Sequence, residues 1–266
     1  MNKNRTEAIR AHLRPAEQPI TESDEFIERA LHHAGVPVLM MSMIHMTGDA
    51  SLLDGPVQPR SAILGEIQGF LPLEQQEEVR RQAFQVIRQF RDNHCRLPAL
   101  PDAATVRRMM SFVVGEQVPE EYVPMMLEEM NLGGEDSRAL HWPGTITPQQ
   151  RQQFPVVVIG AGVGGILAGI RLREEGIPFC ILEKNADVGG TWYENTYPGA
   201  RVDTPNYFYC YSFEPNHDWS QYYSGQAELQ AYLKRCCDEY KVNEQLQLNT
   251  TVTDVVFDEA GQLWRV

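Results

Sequence analysis

The 266-residue chain is 42% hydrophobic and 22% charged, which excludes a disordered or fibrous protein and fits one large or two modest soluble globular domains. Its formal net charge of −13 argues against nucleic acid or an anionic membrane surface as partner. An anionic cofactor stays open, because phosphate is bound by local amides and dipoles rather than by net charge.

The five cysteines (Cys95, Cys180, Cys210, Cys236 and Cys237) are odd in number and form no C-x-x-C pair, so neither a disulfide framework nor a zinc site is expected. The amino terminus lacks the apolar core of a signal peptide. The early run VPVLMMSMIHM (36–46) is too short to span a bilayer. The expected location is a reducing cytoplasm.

Residues 1 to about 140 read as helical. In SDEFIERALHHAG, Ser23 is a candidate N-cap and Gly35 a stop. In LEQQEEVRRQAFQVIRQFRDN, Val79, Ala83, Val86, Ile87 and Phe90 recur at helical spacing. Asp102 suits the cap of AATVRRMMSFVV. Pro119 suits the first turn of PEEYVPMMLEEMN, with Gly133 and Gly134 ending it. Methionine is abundant in this half and serves either core packing or a helical docking surface. His32, His33 and His45 have no carboxylate at ligand spacing on an obvious shared face, so no metal is expected.

The glycines, prolines and polar residues of 131–155 mark a linker, and the texture then changes to alternating strand and helix. VVVI reads as a buried parallel strand. Gly160, Gly162 and Gly165 follow as G-x-G-x-x-G: a tight turn, an open approach for a pyrophosphate, and close helix–strand packing. The next apolar run, IPFCIL, ends at Glu183, which is suited to accept hydrogen bonds from the ribose hydroxyls of an adenosine. Strand, turn, helix, strand and acid together predict dinucleotide binding but leave FAD and NAD(P) both open.

The segment after Glu183 adds paired glycines, Gly189 and Gly190, and clustered aromatics, Trp192, Tyr193 and Tyr197, which suit a planar ring system. Farther on, SGQAELQAYLKRCCDEYKV reads as a helix capped by Ser224, with Cys236 and Cys237 as buried small hydrophobes. LQLNTTVTDVVFDEAGQLWRV reads as strands joined at DEAG.

GAGVGG, GGTWYENTYPGARVDTPN and YCYSF resemble the FAD-binding half of flavin-dependent Baeyer–Villiger monooxygenases. The long helical extension before the glycine motif resembles the 4-hydroxyacetophenone monooxygenase type in particular. The likeness is dense over 155–257 and general before that. It implies an α-helical N-terminal domain followed by a partial α/β Rossmann-like FAD-binding domain. Residues 1–150 are the extension and linker; residues 151–266 are the flavin domain, expected to be incomplete at its C-terminal end.

The resemblance further implies that Gly160, Gly162 and Gly165 hold the FAD pyrophosphate and Glu183 the adenosine ribose. Gly190, Thr191, Trp192, Tyr193 and Glu194 would run along the FAD, and Tyr209 would touch its flavin side. Arg201 and Val202 would lie close to NADP, and Val252 would meet the adenine through its backbone. Asp203 is the implied catalytic residue, orienting an arginine that the family places later in its chain. Glu194 and Thr196 depart from many members, which carry an aromatic and an arginine there; this sharpens the subgroup and weakens transfer of substrate range.

The implied reaction is NADPH-dependent insertion of one oxygen atom of O2 beside a ketone carbonyl, with aryl ketones as substrates and a homodimer formed through the helical region. The sequence shows no second G-x-G-x-x-G and no F-x-G-x-x-x-H-type fingerprint, so the first part of a longer enzyme is expected. The alternatives are an N- or S-oxygenating flavin monooxygenase and a non-catalytic dimerisation fragment.

Overall fold

A computed structural model describes residues 19–60, 66–130, 140 and 142–266. The chain divides into two compact units, Met1–Ser137 and Arg138–Val266. The division lies within the stretch 131–155 that the sequence marks as a linker.

The described elements of the first unit are all helical: α1 (Asp24–Leu31), α2 (Val36–Thr47), α3 (Leu73–Asp92), α4 (Ala103–Val114) and α5 (Val123–Met130), with 3-10 turns at Ala50–Asp54 and Glu120–Tyr122. Ser23 caps α1, its Oγ accepting from the Phe26 amide at 3.2 Å. Asp102 caps α4 by accepting from the Thr105 amide at 2.8 Å. Gly35 does not stop α1, which ends at Leu31; it is the N-cap of α2. Pro119 precedes the short 3-10 turn rather than opening an α-helix. Gly133 and Gly134 lie outside the described residues.

Helix α2 is the apolar run 36–46, and it packs against α3. Val36, Leu39, Met40, Met43 and Ile44 are buried in it and join Val79 and Ala83 of α3 and Met109 and Phe112 of α4 in one core. Met40, Met43 and Met109 are therefore packing residues, whereas Met125 is exposed. Burying a side chain the size of Met43 contributes about 1.5–3 kcal/mol.

The second unit begins with a short helix, α6 (Pro148–Gln152), inside the expected linker. A reciprocal capping box holds it, Thr147 with Gln150. Strands β1 (Val156–Ile159), β2 (Phe179–Leu182) and β3 (Leu246–Gln247) form a parallel sheet in that order, with Val156 opposite Phe179 and Ile181 opposite Leu246. Helix α7 (Val163–Glu175) connects β1 to β2. Helix α9 (Gln226–Glu239) packs against both α7 and the four-residue α8 (Thr191–Glu194). Their core comprises Ile166, Ile170, Ile181, Leu229, Leu233, Cys236 and Val242.

Strand β1 is half-buried on one face and exposed on the other. Val157 and Ile159 are 42% and 57% exposed, so the continuous apolar run does not here mean burial on both sides. Strands β4 (Val256–Asp258) and β5 (Leu263–Arg265) form an antiparallel hairpin, and Asp258 closes its turn by accepting from the Ala260 and Gly261 amides. Among the described residues no helix is long and apolar enough to cross a membrane.

Candidate functional site

The glycine motif forms the turn from β1 into α7. Gly160 takes φ +90°, a conformation open to glycine without strain, and Gly162 is the N-cap of α7 with no side chain capping the helix end. A Cβ at Gly165 would lie 1.9 Å from the Gly160 carbonyl oxygen, so only glycine lets α7 start this close to the strand. Val163 and Gly164, in the first turn of α7, are exposed. The result is an uncapped helix start with its dipole's positive end at the turn, where a Cβ at Gly160 would meet nothing within 4 Å.

Glu183 follows β2 and is 3% exposed. Its Oε2 accepts from the Ala161 amide in the middle of the glycine turn at 2.6 Å, and its Oε1 accepts from the Asn185 amide at 2.8 Å. The acid thus fastens the turn to the end of β2 while each carboxylate oxygen retains a further lone pair. Val252 is half-buried just beyond Thr250, whose amide donates to the Glu183 carbonyl at 2.8 Å.

The paired glycines complete this surface. The Gly189 amide donates to the Ala161 carbonyl at 3.0 Å, and Gly190, at φ +53°, passes against Gly162. Gly160, Gly162, Gly165, Glu183 and Gly190 are therefore brought together by direct contacts.

Other predicted residues fall elsewhere. Trp192 is 7% exposed in the core; its Nε1 donates to the Tyr209 hydroxyl at 3.2 Å, and the two rings meet edge to face at 5.6 Å. They border a cavity of about 200 Å³ shared with Val163, Leu229, Tyr232 and Leu233. Thr191 is exposed and Tyr193 half-buried. Glu194 pairs with Lys184 at 2.8 Å and accepts from Asn185 at 3.0 Å; these contacts hold its carboxyl below the usual range. Arg201 and Asp203 are exposed on either side of buried Val202, and Asp203 accepts from the Thr204 hydroxyl at 3.4 Å.

Four polar residues that hold these loops carried no signal of that role in the sequence. Gln230 donates to the Val188 carbonyl at 3.2 Å, and Gln226 donates to the Trp192 carbonyl, so α9 grips both ends of the paired-glycine turn. Ser224 is not the cap of α9, which is Gly225; its Oγ instead accepts from Asn206 Nδ2 at 2.6 Å. All of these bonds join residues remote in sequence, which is why no local pattern announced them.

A hollow of about 1030 Å³ is lined by residues of the first unit. Its two arginines are already engaged, Arg108 with Asp54 at 2.7 Å and Arg107 with the Val118 carbonyl at 2.8 Å.

Residues 158–225 match the family described as NAD(P)-binding Rossmann-like domain. A Baeyer–Villiger monooxygenase of Pseudomonas aeruginosa is 39% identical over 131 residues, covering 49% of this chain and 25% of the relative. The uncharacterized monooxygenase y4iD of Sinorhizobium fredii is 30% identical over 242 residues, 90% of this chain and 35% of the relative, so that likeness runs well into the helical unit. The FAD-binding monooxygenase tazF of Aspergillus terreus is 38% identical over 119 residues, 43% of this chain and 21% of the relative. The chain spans about a fifth to a third of the lengths of these curated relatives. It carries an NAD(P)-binding Rossmann-like domain within its second unit and is related in sequence to flavin monooxygenases of the Baeyer–Villiger kind.

Proposed function

We propose that this chain is the N-terminal part of an FAD- and NADPH-dependent monooxygenase that inserts one oxygen atom of O2 beside a ketone carbonyl, giving an ester or lactone. The observation that carries the reading is the joined surface of the glycine turn, Glu183 and Gly190. It offers an uncapped helix start for a pyrophosphate and a buried carboxylate with free lone pairs for ribose hydroxyls, and so fits an adenine dinucleotide. FAD, when bound, supplies the redox and oxygen chemistry; the protein supplies binding, orientation and shielding from water.

In this reading Gly160, Gly162 and Gly165 bind the pyrophosphate and Glu183 the ribose. Gly190, Thr191, Tyr193 and Glu194 flank the cofactor. Trp192 and Tyr209, paired edge to face, form the wall behind it, and Val252 borders the adenine. Arg201, Val202 and Asp203 face the nicotinamide side, where Asp203 orients an arginine from the remainder of the enzyme. The substrate class proposed is aryl ketones, on the likeness of the helical extension to the 4-hydroxyacetophenone type. The helical unit is proposed to form a homodimer, and the proposed location is the cytoplasm.

The test is product analysis. The intact enzyme, given NADPH, acetophenone and 18O2, is expected to release an ester carrying one labelled oxygen. An N-oxide or S-oxide formed from an amine or sulfide, with no ester from any ketone, would move the enzyme to the heteroatom-oxygenating class.

A further inference from the structure

The segment carrying Arg201 and Asp203 is clasped to the approach of α9 in a minimal antiparallel pairing. Gln226 N–H donates to the Ala200 carbonyl at 3.0 Å, Val202 N–H to the Ser224 carbonyl at 3.1 Å, and Asn206 N–H to the Tyr222 carbonyl at 3.1 Å. Arg201 and Gly225 form the bridge between the two strands. The regular ladder stops after Val202, because the Ser224 amide donates to the Asn206 side chain, Oδ1, at 3.0 Å.

The side chain of Asn206 takes its place. It is 1% exposed; its Nδ2 donates to the Gln221 carbonyl and to Ser224 Oγ, both at 2.6 Å, and its Oδ1 accepts from the Ser224 amide at 3.0 Å. One carboxamide thereby donates and accepts as a backbone peptide would, and three of its hydrogen-bonding positions are used. With Val202 buried at one end and Asn206 at the other, residues 203–205 form a short arch. Asp203 stands on its exposed side.

We propose that Asn206 is a positioning residue for Asp203, fixing the arch on which that carboxylate is carried. The proposal rests on the reading of Asp203 above. A buried carboxamide with both donors and one acceptor position engaged has one low-energy arrangement, and a small displacement of a positioned group lowers rates steeply.

The test compares Asn206→Ala, Asp203→Ala and the double variant in the intact holoenzyme, with Ser224→Ala as a milder second probe that removes one acceptor. Two readouts are taken: amide hydrogen exchange over residues 200–206 and 222–226, and the single-turnover rate of flavin reduction by NADPH. Asn206→Ala is expected to speed exchange at the Val202 and Ser224 amides about tenfold. It should slow reduction about tenfold with FAD retained. In the Asp203→Ala background it should change the rate less than about twofold, because it acts through Asp203. Should Asn206→Ala fail to fold, Ser224→Ala is expected to give the same pattern at smaller amplitude.

Unchanged exchange, or rate losses that multiply in the double variant, would overturn the proposal while leaving the oxygenase reading intact. A wild-type enzyme that holds no flavin would overturn both, and is seen before any variant is made.

Discussion

Gly162 and Gly190 lie backbone against backbone: a Cβ added at Gly190 would stand 2.9 Å from the Gly162 Cα. The phosphate turn and the paired-glycine turn are thus two halves of one surface, joined also by the bond from the Gly189 amide to the Ala161 carbonyl. Glycine at 190 is required first by this contact inside the protein, before any ligand approaches.

Gly190→Val is therefore expected to separate the two turns. It combines a backbone at φ +53°, which β-branched residues resist, with a clash against backbone that has no flexible end to yield. A loss of about 2–3 kcal/mol is expected in urea unfolding. An unchanged midpoint would show that the two turns do not depend on one another.

Glu183→Gln tests the fastening of the turn. The carboxylate accepts from two backbone amides, Ala161 and Asn185, whereas a carboxamide has a single acceptor oxygen and would present an NH2 to one of those donors. The expected destabilisation is about 1–3 kcal/mol, from the amide left unpaired. Wild-type stability in the variant would mean that the turn holds without this acid.

Cys236 and Cys237 predict a pH dependence. Burial pushes both thiols up to about 12, well above the unfolded thiol. Above about pH 8.5 the unfolded chain loses protons that the folded chain keeps, so stability is full below that pH and declines as pH rises toward 12. The urea midpoint should fall between pH 8 and pH 10.5, and by less in the Cys236→Ala/Cys237→Ala variant. Both thiols should also react slowly with a thiol reagent at pH 8 until the protein is unfolded. Equal slopes in wild type and variant would remove these thiols as the cause.

The proposed dimer is tested by removing residues 1–140 from the intact enzyme and measuring mass by light scattering. The mass is expected to fall to that of one shortened chain. A dimer that survives the deletion would assign the contact elsewhere.

The strand, turn and helix from Val156 to Glu175 were legible because local rules sufficed: an apolar run, three glycines each with its own backbone task, and an apolar stretch ending in an acid. Helix α2 lies in the half that reads as helical, but its run 36–46 gives no period of its own, because it is apolar nearly all round and shows little polar face. Gly35 fits a helix stop by sequence yet caps the next helix, because glycine serves either end. At the site, the glycines and Glu183 were found from spacing. Trp192 could be recognised as an aromatic but not as the partner of Tyr209. Asn206, Ser224, Gln226 and Gln230 could not be found, because an amide side chain reveals its partner only once the chain has brought that partner near.

The proposed function rests on binding of the FAD pyrophosphate at the turn of Gly162. A Cβ at Gly162 would meet only ordinary contact, 3.5 Å from the Gly190 Cα, so Gly162→Asp leaves the fold room and sets a negative charge where the phosphates belong. The most direct measurement is the visible absorbance of the purified intact enzyme, wild type against Gly162→Asp, with folding checked by circular dichroism. A flavin band is expected in the wild type and none in the folded variant. A folded Gly162→Asp enzyme that keeps its full flavin band would contradict binding at this turn.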